Sequence, residues 1–412
     1  MVTQRRRRPS RTPRPKQARG RSRVGERFEA MAGPIAHGGH VVVRVPTGSA
    51  DDGEPESRVV FVRHALPGER VVLEITEGTD GDRFWRGDAV EVLEAAPGRV
   101  VPPCPYAGPH KCGGCDFQHV APSTQLELKT AVLREQLLRL ARLDPADPLL
   151  DTPVEPVPAD PADPSGPAVP DGLRWRTRQS YARTPSGERA MRLHRSHDVI
   201  PIDDCVIART DAREPAPGTV TELVLGKEFT VAADGFWQVH PGAPPTLVTT
   251  VLELLDPRPG ESVLDLYAGV GLFAAFLSER VGPDGRVVAI EGDRRASELS
   301  RVNVPAAEVT AGDVGQILAT SYDDPVDLVV LDPPREGARR AVVEQVAART
   351  PHAVAYVACD PAALARDVAI FAEHGYRLAA LRAFDLFPMT HHFECVALLE
   401  KTGSGRRRTD AV

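Results

Sequence analysis

A cysteine stands between two different segments in the C-terminal third of the chain. The apolar run Ala355-Tyr-Val-Ala358 predicts a buried strand, and Pro361 predicts a helix that begins directly after Cys359 and Asp360. Open α/β sheets bind their ligands at the carboxyl ends of strands. A thiol before a helix N-terminus generally has a lowered pKa, so Cys359 is a candidate nucleophile. A buried structural cysteine is the alternative interpretation of this position.

Two carboxylates follow other apolar segments of the same region. Glu394 ends the segment Phe387-Pro-Met-Thr-His-His-Phe-Glu394, just before the last predicted strand, where it could supply a general base. Asp332 ends the apolar run before Pro333 and Pro334. Because prolines restrict the backbone, this spacing predicts an exposed elbow beside a bound cofactor.

A glycine-containing turn follows another apolar strand, in Asp265-Leu-Tyr-Ala-Gly269-Val-Gly271. Glycines there let the backbone approach a ligand closely, but the third glycine of the dinucleotide fingerprint is absent, which disfavours a nicotinamide cofactor. Glu291 ends the next predicted strand, where a carboxylate can accept both hydroxyls of a ribose, and Asp313 follows the third. This series points to S-adenosylmethionine. For Glu291 alone, the alternative is an acid at a helix N-terminus in a nucleotide-free domain.

The elements that must position these residues alternate between helix and strand. The periodicity predicts helices at 243–255, 272–281, 294–303, 336–349 and 361–374, and strands at 262–267, 286–291, 326–331, 353–358, 376–384 and 392–400. Such alternation predicts an α/β domain with a doubly wound sheet over 241–402.

Short β-rich runs occupy the N-terminal part of the chain. They lie at Val41–Val45, Val59–Val62, Val71–Ile75 and Gly87–Leu93, and they predict a small β-barrel over 27–97. A central domain is predicted over 98–240, with helical periodicity from Gln125 to Leu140 and strands from Arg174 to Cys205.

Two features of the central domain have a distinctive composition. Nine prolines in 145–170 predict an extended linker or surface insertion that does not pack. Arg174, Arg176 and Arg178 alternate, so on a strand they would share one face. Such a basic stripe suits a polyanion, and a plain solvated strand face is the alternative.

The charge of the chain is segregated. The 412 residues carry a net charge of −7, made of +10 in residues 1–25 and −17 in the rest. A tail over 1–26 and a weaker one over 403–412 are predicted as basic arms that can touch nucleic-acid phosphate, with an inert solubilising tail as the alternative. No apolar run is long enough to cross a membrane, and the tail lacks the apolar region of a secretory signal, so a cytoplasmic protein is expected.

The six cysteines are too few for a disulfide scaffold. Cys104, Cys112 and Cys115 form a C-x7-C-x2-C pattern, and Cys205 follows far along the chain. Four thiolates can hold zinc or an iron–sulfur cluster, and the spacing alone does not decide between the two. Unliganded core cysteines are the third alternative.

Four segments together resemble the S-adenosylmethionine-dependent RNA uracil-5-methyltransferase family, which makes 5-methyluridine in tRNA or 23S rRNA. They are Asp265-Leu-Tyr-Ala-Gly-Val-Gly, Leu331-Asp-Pro-Pro-Arg-Glu-Gly, Tyr356-Val-Ala-Cys-Asp-Pro-Ala-Ala-Leu-Ala-Arg-Asp367 and Phe387-Pro-Met-Thr-His-His-Phe-Glu394. The resemblance covers about residues 33–400. It implies a class I methyltransferase fold, an N-terminal TRAM domain of the OB type, and a central α+β domain with iron–sulfur cysteines.

The resemblance also implies roles for individual residues. Cys359 would add to C6 of uracil, and Glu394 would later accept the proton from C5. The expected cofactor-binding residues are Gln238, Tyr267, Gly269, Glu291, Asp313 and Asp332. The expected ligands of a four-iron four-sulfur cluster, favoured over zinc, are Cys104, Cys112, Cys115 and Cys205. The implied partner is RNA, bound by a monomer.

Some residues depart from the family pattern. Asp360 and His240 stand where asparagine is common, and the gap between Cys104 and Cys112 is longer than usual. The resemblance favours 23S rRNA as the substrate, with the tRNA T-loop as an alternative. A non-catalytic RNA-binding factor is a further alternative, opposed by the presence of both Cys359 and Glu394. Methylation of cytosine or of an exocyclic nitrogen is another, and the latter needs no cysteine.

Overall fold

The computed structural model describes residues 20–49, 55–158 and 172–403. Most of both predicted basic tails and the centre of the proline-rich segment lie outside these residues. The chain divides into two compact units. The first comprises the residues up to Pro34 together with His40–Ala96, and the second comprises Ile35–Gly39 together with the residues from Pro97 onward.

The bounds of the regular elements follow the chain. The strands are β1 (Arg27–Met31), β2 (Ile35–Ala36), β3 (His40–Ser49), β4 (Pro55–Arg63), β5 (Arg70–Glu77), β6 (Phe84–Glu94), β7 (Val154–Pro156), β8 (Arg176–Arg178), β9 (Ala182–Arg183), β10 (Arg189–Arg192), β11 (Val199–Pro201), β12 (Ala208–Arg213), β13 (Thr219–Val224), β14 (Lys227–Ala232), β15 (Ser262–Leu266), β16 (Arg286–Glu291), β17 (Glu308–Ala311), β18 (Leu328–Leu331), β19 (Ala353–Ala358), β20 (Tyr376–Asp385) and β21 (Glu394–Lys401). The α-helices are α1 (Pro122–Gln136), α2 (Ala243–Leu255), α3 (Leu272–Val281), α4 (Arg294–Asn303), α5 (Val314–Thr320), α6 (Arg339–Ala348) and α7 (Pro361–Glu373).

The first unit is a curled sheet. Its strands lie in the order β1-β5-β6-β4-β3, and the outer strands β1 and β3 also approach each other. Alternate residues of the strands point inward, as at Val41, Val43 and Val45, which are fully buried. Trp85 fills the same interior. The β-rich runs of the sequence therefore do form strands that share one core.

An eight-stranded sheet organises the second unit. Its order is β17-β16-β15-β18-β19-β21-β20-β7, with β15 to β19 parallel and β21 antiparallel to both of its neighbours. The strand residues Leu328–Leu331 and Ala353–Ala358 are buried throughout, as is usual for strands covered on both faces. The carboxyl ends of β15, β16, β18 and β19 therefore meet at one edge of this sheet.

The predicted alternation of helices and strands in this unit is confirmed. The bounds of α2, α3, α4, β16 and β19 agree with the prediction to the residue. The short helix α5 was not predicted; it is capped by Asp313, whose side chain accepts a hydrogen bond from the Gln316 N–H.

The proline-rich segment packs in part, so the prediction of an unpacked linker is wrong for its first residues. Val154–Pro156 form β7, which pairs in parallel with β20 at the edge of the sheet. Val154 is only 3% exposed, and Glu155 forms an ion pair with Arg382. The Val154 N–H also donates to Thr130 Oγ1, which attaches β7 to α1.

The basic stripe of the central segment is interrupted. Arg174 has a φ of 52° and lies before β8, and its guanidinium forms an ion pair with Asp204. Arg176 donates from Nε to the carbonyl of Arg178, and Arg178 donates to the carbonyl of Gly235. The three side chains therefore do not form one continuous strand face.

No helix in the part of the chain that the structure describes is long and apolar enough to cross a membrane.

Candidate active site and cysteine site

Cys359 and Glu394 come together because β19 and β21 are antiparallel neighbours. Ala358, the last residue of β19, pairs with Cys395, so Cys359 follows opposite Glu394 at the end of the same ladder. Glu394 is only 3% exposed, and the Cys359 thiol is half-buried. The register of the sheet therefore sets the predicted nucleophile beside the predicted proton acceptor.

Acidic groups crowd this edge and perturb one another. Burial and the charge of Glu291 raise the pKa of Asp332 to about 7. Burial and the charge of Asp332 raise the pKa of Glu394 well above its ordinary value, against the opposing charge of Arg335. The raised pKa favours the protonated form of Glu394, so this side chain would accept a proton only after a cationic partner at this edge had lowered its pKa.

The thiol of Cys359 is not activated in the ligand-free chain. Burial raises its pKa to about 12, and the charges of Glu394 and Asp332 add to the effect. The expectation that its place before a helix would lower this pKa is therefore wrong. The N-terminus of α7 is already capped by Asp360, whose carboxylate accepts the Ala363 N–H and also opposes ionisation of the thiol.

A small cavity opens beside Cys359. Besides Cys359 itself, its wall includes His37, Asp360, Lys129 and His392. His37 Nε2 lies 3.0 Å from Asp360 Oδ2, a contact that joins the turn after β2 to the start of α7. Burial and the charge of His391 lower the pKa of His392 to about 3, so this imidazole is neutral. The cavity places polar side chains around the thiol.

The glycine turn after β15 has the backbone of a ligand-binding loop. Gly269 has a φ of 56° and Gly271 a φ of 90°, which favour glycine. At Gly271 an added Cβ would lie 2.7 Å from Val304 Cγ2, whereas at Gly269 it would meet no described atom within 4 Å. The Gly269 N–H donates to Glu291 Oε2 at 2.8 Å. The turn is therefore packed on one side and open on the other.

The charges at this turn fit a cationic nucleoside such as S-adenosylmethionine. Asp265 is buried, and its Oδ1 has no hydrogen-bond partner among the described residues. Burial raises the pKa of Asp265 to about 7, and the charges of Asp332 and Glu291 add to it. An unsatisfied buried carboxylate is costly, so a bound cation or N–H donor would stabilise the site.

Two of the other residues expected to bind the cofactor follow strands of this sheet, and the third, Gln238, lines a separate cavity. Tyr267 is half-buried with a φ of 65°, and burial, with the charge of Asp313, raises its pKa to about 12. Asp313 is exposed and caps α5 with one oxygen. Gln238 is half-buried and lies in a cavity with Trp237 and Arg178. The structure brings the strand-end residues together and leaves Asp313 at the rim.

His240 is a structural residue. It is buried, its ring stacks on Trp175 at 5.8 Å, and its Nδ1 accepts the Gly242 N–H at 3.1 Å. Burial lowers its pKa to about 4, which keeps the imidazole neutral. The histidine at this position is therefore part of the core beside Gln238.

The four candidate metal ligands approach one another in the second unit. All four thiols are half-buried. Burial raises the pKa values of Cys104, Cys112 and Cys115, and the charge of Cys205 raises each of them further. Within the described ranges, however, no group of three or more His, Cys, Asp or Glu has the geometry to hold a metal ion. The chain brings the four thiols within electrostatic range without arranging them as a finished site.

Sequence reasoning missed two polar pairs between distant segments. Lys129 of α1 donates to Asp385 Oδ1 at 2.7 Å, and both side chains are buried. His391 Nδ1 lies 2.6 Å from Asp116 Oδ2. Burial raises the pKa of Asp116, but the hydrogen bond and charge of His391 outweigh it and hold the pKa at about 2. A lysine on the apolar side of a helix was the only available signal.

Phe236 was also missed as a functional candidate. It is 75% exposed, although it lies two residues before Gln238. A large exposed aromatic side chain at a turn, next to a polar residue of the site, is the signal that could have identified it.

Two family models match parts of the chain. The tRNA (Uracil-5-)-methyltransferase model matches residues 314–402, which include Asp332, Cys359 and Glu394. The model of Protein-L-isoaspartate(D-aspartate) O-methyltransferase matches residues 239–322, which include the glycine turn and Glu291. The first match therefore covers the proposed chemistry, and the second covers the cofactor half of the sheet.

Relatives extend the similarity over nearly the whole chain. An uncharacterised RNA methyltransferase of Streptomyces avermitilis is 43% identical, over 93% of this chain and 100% of the relative. The 23S rRNA (uracil(1939)-C(5))-methyltransferase RlmD of Alkalilimnicola ehrlichii is 32% identical, over 84% of this chain and 92% of the relative.

A solved structure shares the fold. It is the Pyrococcus abyssi tRNA (uracil-54, C5)-methyltransferase in complex with S-adenosyl-L-homocysteine, which has a TM-score of 0.62 and 21% identity. The match covers 86% of this chain and 99% of that one. From the relatives, the family model and the adjacent Cys359 and Glu394, we conclude that the chain belongs to the S-adenosylmethionine-dependent RNA uracil-5-methyltransferase family.

Proposed function

We propose that this chain methylates C5 of a uridine in 23S rRNA through a covalent bond between Cys359 and C6 of the base. The pairing of β19 with β21, which sets the Cys359 thiol beside Glu394, carries the proposal. The relative from A. ehrlichii, named for a 23S rRNA uracil, supports ribosomal RNA as the substrate.

Covalent activation is needed because C5 of uracil is a weak nucleophile. The Cys359 thiol gives its proton to water, its sulfur bonds to C6, and the electron pair of the C5–C6 double bond moves onto C5 and makes it nucleophilic. When bound, S-adenosylmethionine supplies an electrophilic methyl group. Glu394 then takes the C5 proton, the C5–H electron pair restores the double bond, and the electrons of the S–C6 bond return to the sulfur.

The strand-end acids would hold the cofactor. Glu291 lies at the end of β16, where its carboxylate can accept ribose hydroxyls, and the free Oδ1 of Asp265 provides an acceptor nearby. Asp332, Tyr267 and Gln238 would complete the pocket, with Asp313 at its rim. Burial raises the pKa values of Asp265 and Asp332, and a cationic partner would stabilise their ionised forms.

Aromatic and basic side chains on both units suit RNA. The target base must leave its RNA fold to reach Cys359, and exposed Phe236 can stack on an unpaired base. On the first unit, Phe61 and Phe84 pack edge to face at 5.2 Å, with Arg86 over the Phe84 ring. Unpaired bases stack on such surfaces, so we assign this unit as an RNA-binding TRAM domain of the OB type.

The cysteine site would hold a four-iron four-sulfur cluster rather than zinc. Cys104, Cys112, Cys115 and Cys205 supply four thiolates, the ligand set of such clusters. The cluster would have a structural or RNA-contacting role. Because the substrate would be ribosomal RNA, we expect the enzyme to act in the cytoplasm, and we expect it to act as a monomer.

A labelling experiment tests the proposal. Anaerobically purified protein is incubated with tritium-labelled methyl donor and either unmodified 23S rRNA fragments or unmodified tRNA, and 5-methyluridine is mapped. Label at one uridine of the rRNA fragments is the expected result. Label confined to tRNA would move the assignment to the T-loop uridine; the matching family model, which is named for tRNA, supports tRNA as the alternative substrate. No label in either RNA would contradict both assignments.

A further inference from the structure

The segment that ends in Glu394 is held from outside by the loop that carries Cys115. Asp116 Oδ2 lies 2.6 Å from His391 Nδ1 and also accepts the His391 N–H at 3.4 Å. The N–H of Phe117 donates to the carbonyl of Met389 at 2.9 Å. Two adjacent residues of the cysteine loop, Asp116 and Phe117, therefore form hydrogen bonds with the catalytic segment 387–394.

Gln125 of α1 strengthens the same attachment. Its Oε1 accepts the Met389 N–H at 2.9 Å, and its Nε2 donates to the carbonyls of Phe117 and Val120. Met389 has a φ of 66°, an unfavourable conformation for a side chain of this size. Such a conformation persists only where the surroundings fix it, and these hydrogen bonds do so.

An apolar contact joins the cysteines to the catalytic segment as well. Trp175, Ile207 and Met389 form a small buried cluster. The half-buried Cys115, Cys205 and Phe387 pack against it. Two of the four candidate metal ligands therefore touch the core on which the catalytic segment rests.

His391 is only three residues from Glu394, and Glu394 is the first residue of β21. If the cysteine loop shifted and moved His391, the displacement would therefore pass along the chain to Glu394. Cys359 follows β19 and precedes α7, and it lines the small cavity together with Phe117 and His391. His391 belongs to the same segment as Glu394 but to a different segment from Cys359, so we expect the loop to affect the proton acceptor more than the nucleophile.

We infer that Asp116 is a positioning residue for Glu394, so that the cysteine loop sets the geometry of proton removal from C5. This inference rests on the proposed function and extends it to a side chain outside the reacting groups. Loss of the Asp116–His391 contact should slow resolution of the covalent adduct more than its formation. The adduct should therefore accumulate.

The test compares Asp116→Ala and Asp116→Asn with the wild-type enzyme. Asp116→Ala should lower kcat roughly 10- to 100-fold, because a displacement of about 1 Å at a reacting group costs that much, while KM for RNA changes little. The fraction of enzyme trapped as a denaturation-resistant RNA adduct should rise. Asp116→Asn keeps an acceptor for His391 and should recover at least half of the loss on a logarithmic scale.

Asp203→Asn is the matched control. Asp203 also lies beside the cysteine site, where its Oδ2 accepts the Tyr106 hydroxyl at 3.0 Å, but it is exposed and outside the catalytic segment. This variant should keep the wild-type kcat and adduct fraction. Iron content and S-adenosylmethionine binding, measured on every variant, separate a general loss of structure from a displaced Glu394.

The outcomes separate the inference from the proposed function. If the wild-type enzyme is active and Asp116→Ala has the same kcat and adduct fraction, the inference is overturned and the proposed function is not. Equal loss of adduct and product, with normal iron and cofactor binding, would also overturn it, because positioning of Glu394 predicts that adduct is retained. A wild-type enzyme that methylates neither RNA would contradict the proposed function itself.

Discussion

The catalytic edge and the cysteine site are built on one electrostatic pattern. At the edge, Asp332 raises the pKa of Glu394, and at the other site Cys205 raises the pKa values of its neighbours. In both places burial is the largest cause. Each cluster gathers acidic groups that are unfavourable alone, so each would be stabilised by a cationic partner.

The two sites differ in what fixes their residues. Sheet register sets Cys359 opposite Glu394, whereas the candidate metal ligands lie on loops, at Cys104, Cys112, Cys115 and Cys205. Metal geometry is absent from the described part of the chain, although the thiols are near one another. A sheet can thus fix the geometry of a site without its ligand, whereas ligands on loops take their final geometry when the metal binds.

Removing the nucleophile should have the largest effect on the catalytic edge. Cys359→Ala should lower methylation by at least about 10³-fold, because the covalent step is lost, while S-adenosylmethionine binding stays near wild type. Cys395→Ala is the control, since this buried thiol lies one residue from Glu394 on β21. Methyl transfer is measured in single turnover. Turnover by the Cys359 variant would rule out the covalent mechanism.

Glu394→Gln should separate the two halves of the reaction. Without a proton acceptor the Cys359–RNA adduct should form but resolve roughly 10²- to 10⁴-fold more slowly. Denaturing gels with labelled RNA measure the adduct, and released 5-methyluridine measures its resolution. Normal product release by this variant would show that another group removes the proton.

The buried ion pair between α1 and the end of β20 tests the support of the catalytic segment. Lys129→Met leaves Asp385 buried without its partner and should lower the free energy of unfolding by about 3–5 kcal/mol. Arg139→Met, which breaks an exposed pair with Glu135, should cost about 0.5 kcal/mol or less. Urea unfolding compares the two. Equal small losses would mean that the Lys129 pair contributes no more than a surface pair.

The pH dependence of stability should report the buried acids. Asp332 has an ordinary pKa of 3.8 and a folded pKa of about 7, so the folded state holds the extra proton between these values. Stability should therefore fall as pH rises from 4 to 7, and Asp332→Asn should make that fall smaller. Urea unfolding at pH 4, 5.5, 7 and 8 measures it. An unchanged slope in the variant would contradict the raised pKa.

Substitution of a candidate metal ligand should remove the metal, whereas substitution of the nucleophile should not. Cys115→Ser should lower iron and acid-labile sulfide per chain to near zero, whereas Cys359→Ala should retain both. Metal analysis after anaerobic purification measures the difference. One zinc per wild-type chain would show that the site binds zinc and not a cluster. An unchanged iron content in Cys115→Ser would show that Cys115 is not a ligand.

The sequence predicted the regular parts of the second unit well for a physical reason. Apolar periodicity with Gly and Pro at the boundaries determines α3 and α4 locally, and such signals need no knowledge of distant residues. The edge strand β7 escaped prediction because its pairing with β20 depends on residues far along the chain.

The positions of Cys359 and Glu394 at strand ends could be predicted from spacing and resemblance, but their protonation states could not. The raised pKa of the thiol could not be predicted, because it depends on burial and on Asp332 from another strand. The Asp116–His391 contact joins residues 275 positions apart, so the local sequence pattern could not predict it.

The central claim is that Cys359 bonds to C6 of a uridine that is methylated at C5. The most direct measurement traps Glu394→Gln with 23S rRNA fragments and S-adenosylmethionine, digests both polymers, and identifies the linked peptide and nucleotide by mass spectrometry. We expect a 5-methyluridine nucleotide attached to the peptide that contains Cys359. Methylated RNA with no nucleotide on that peptide, or a nucleotide linked through another cysteine, would contradict it.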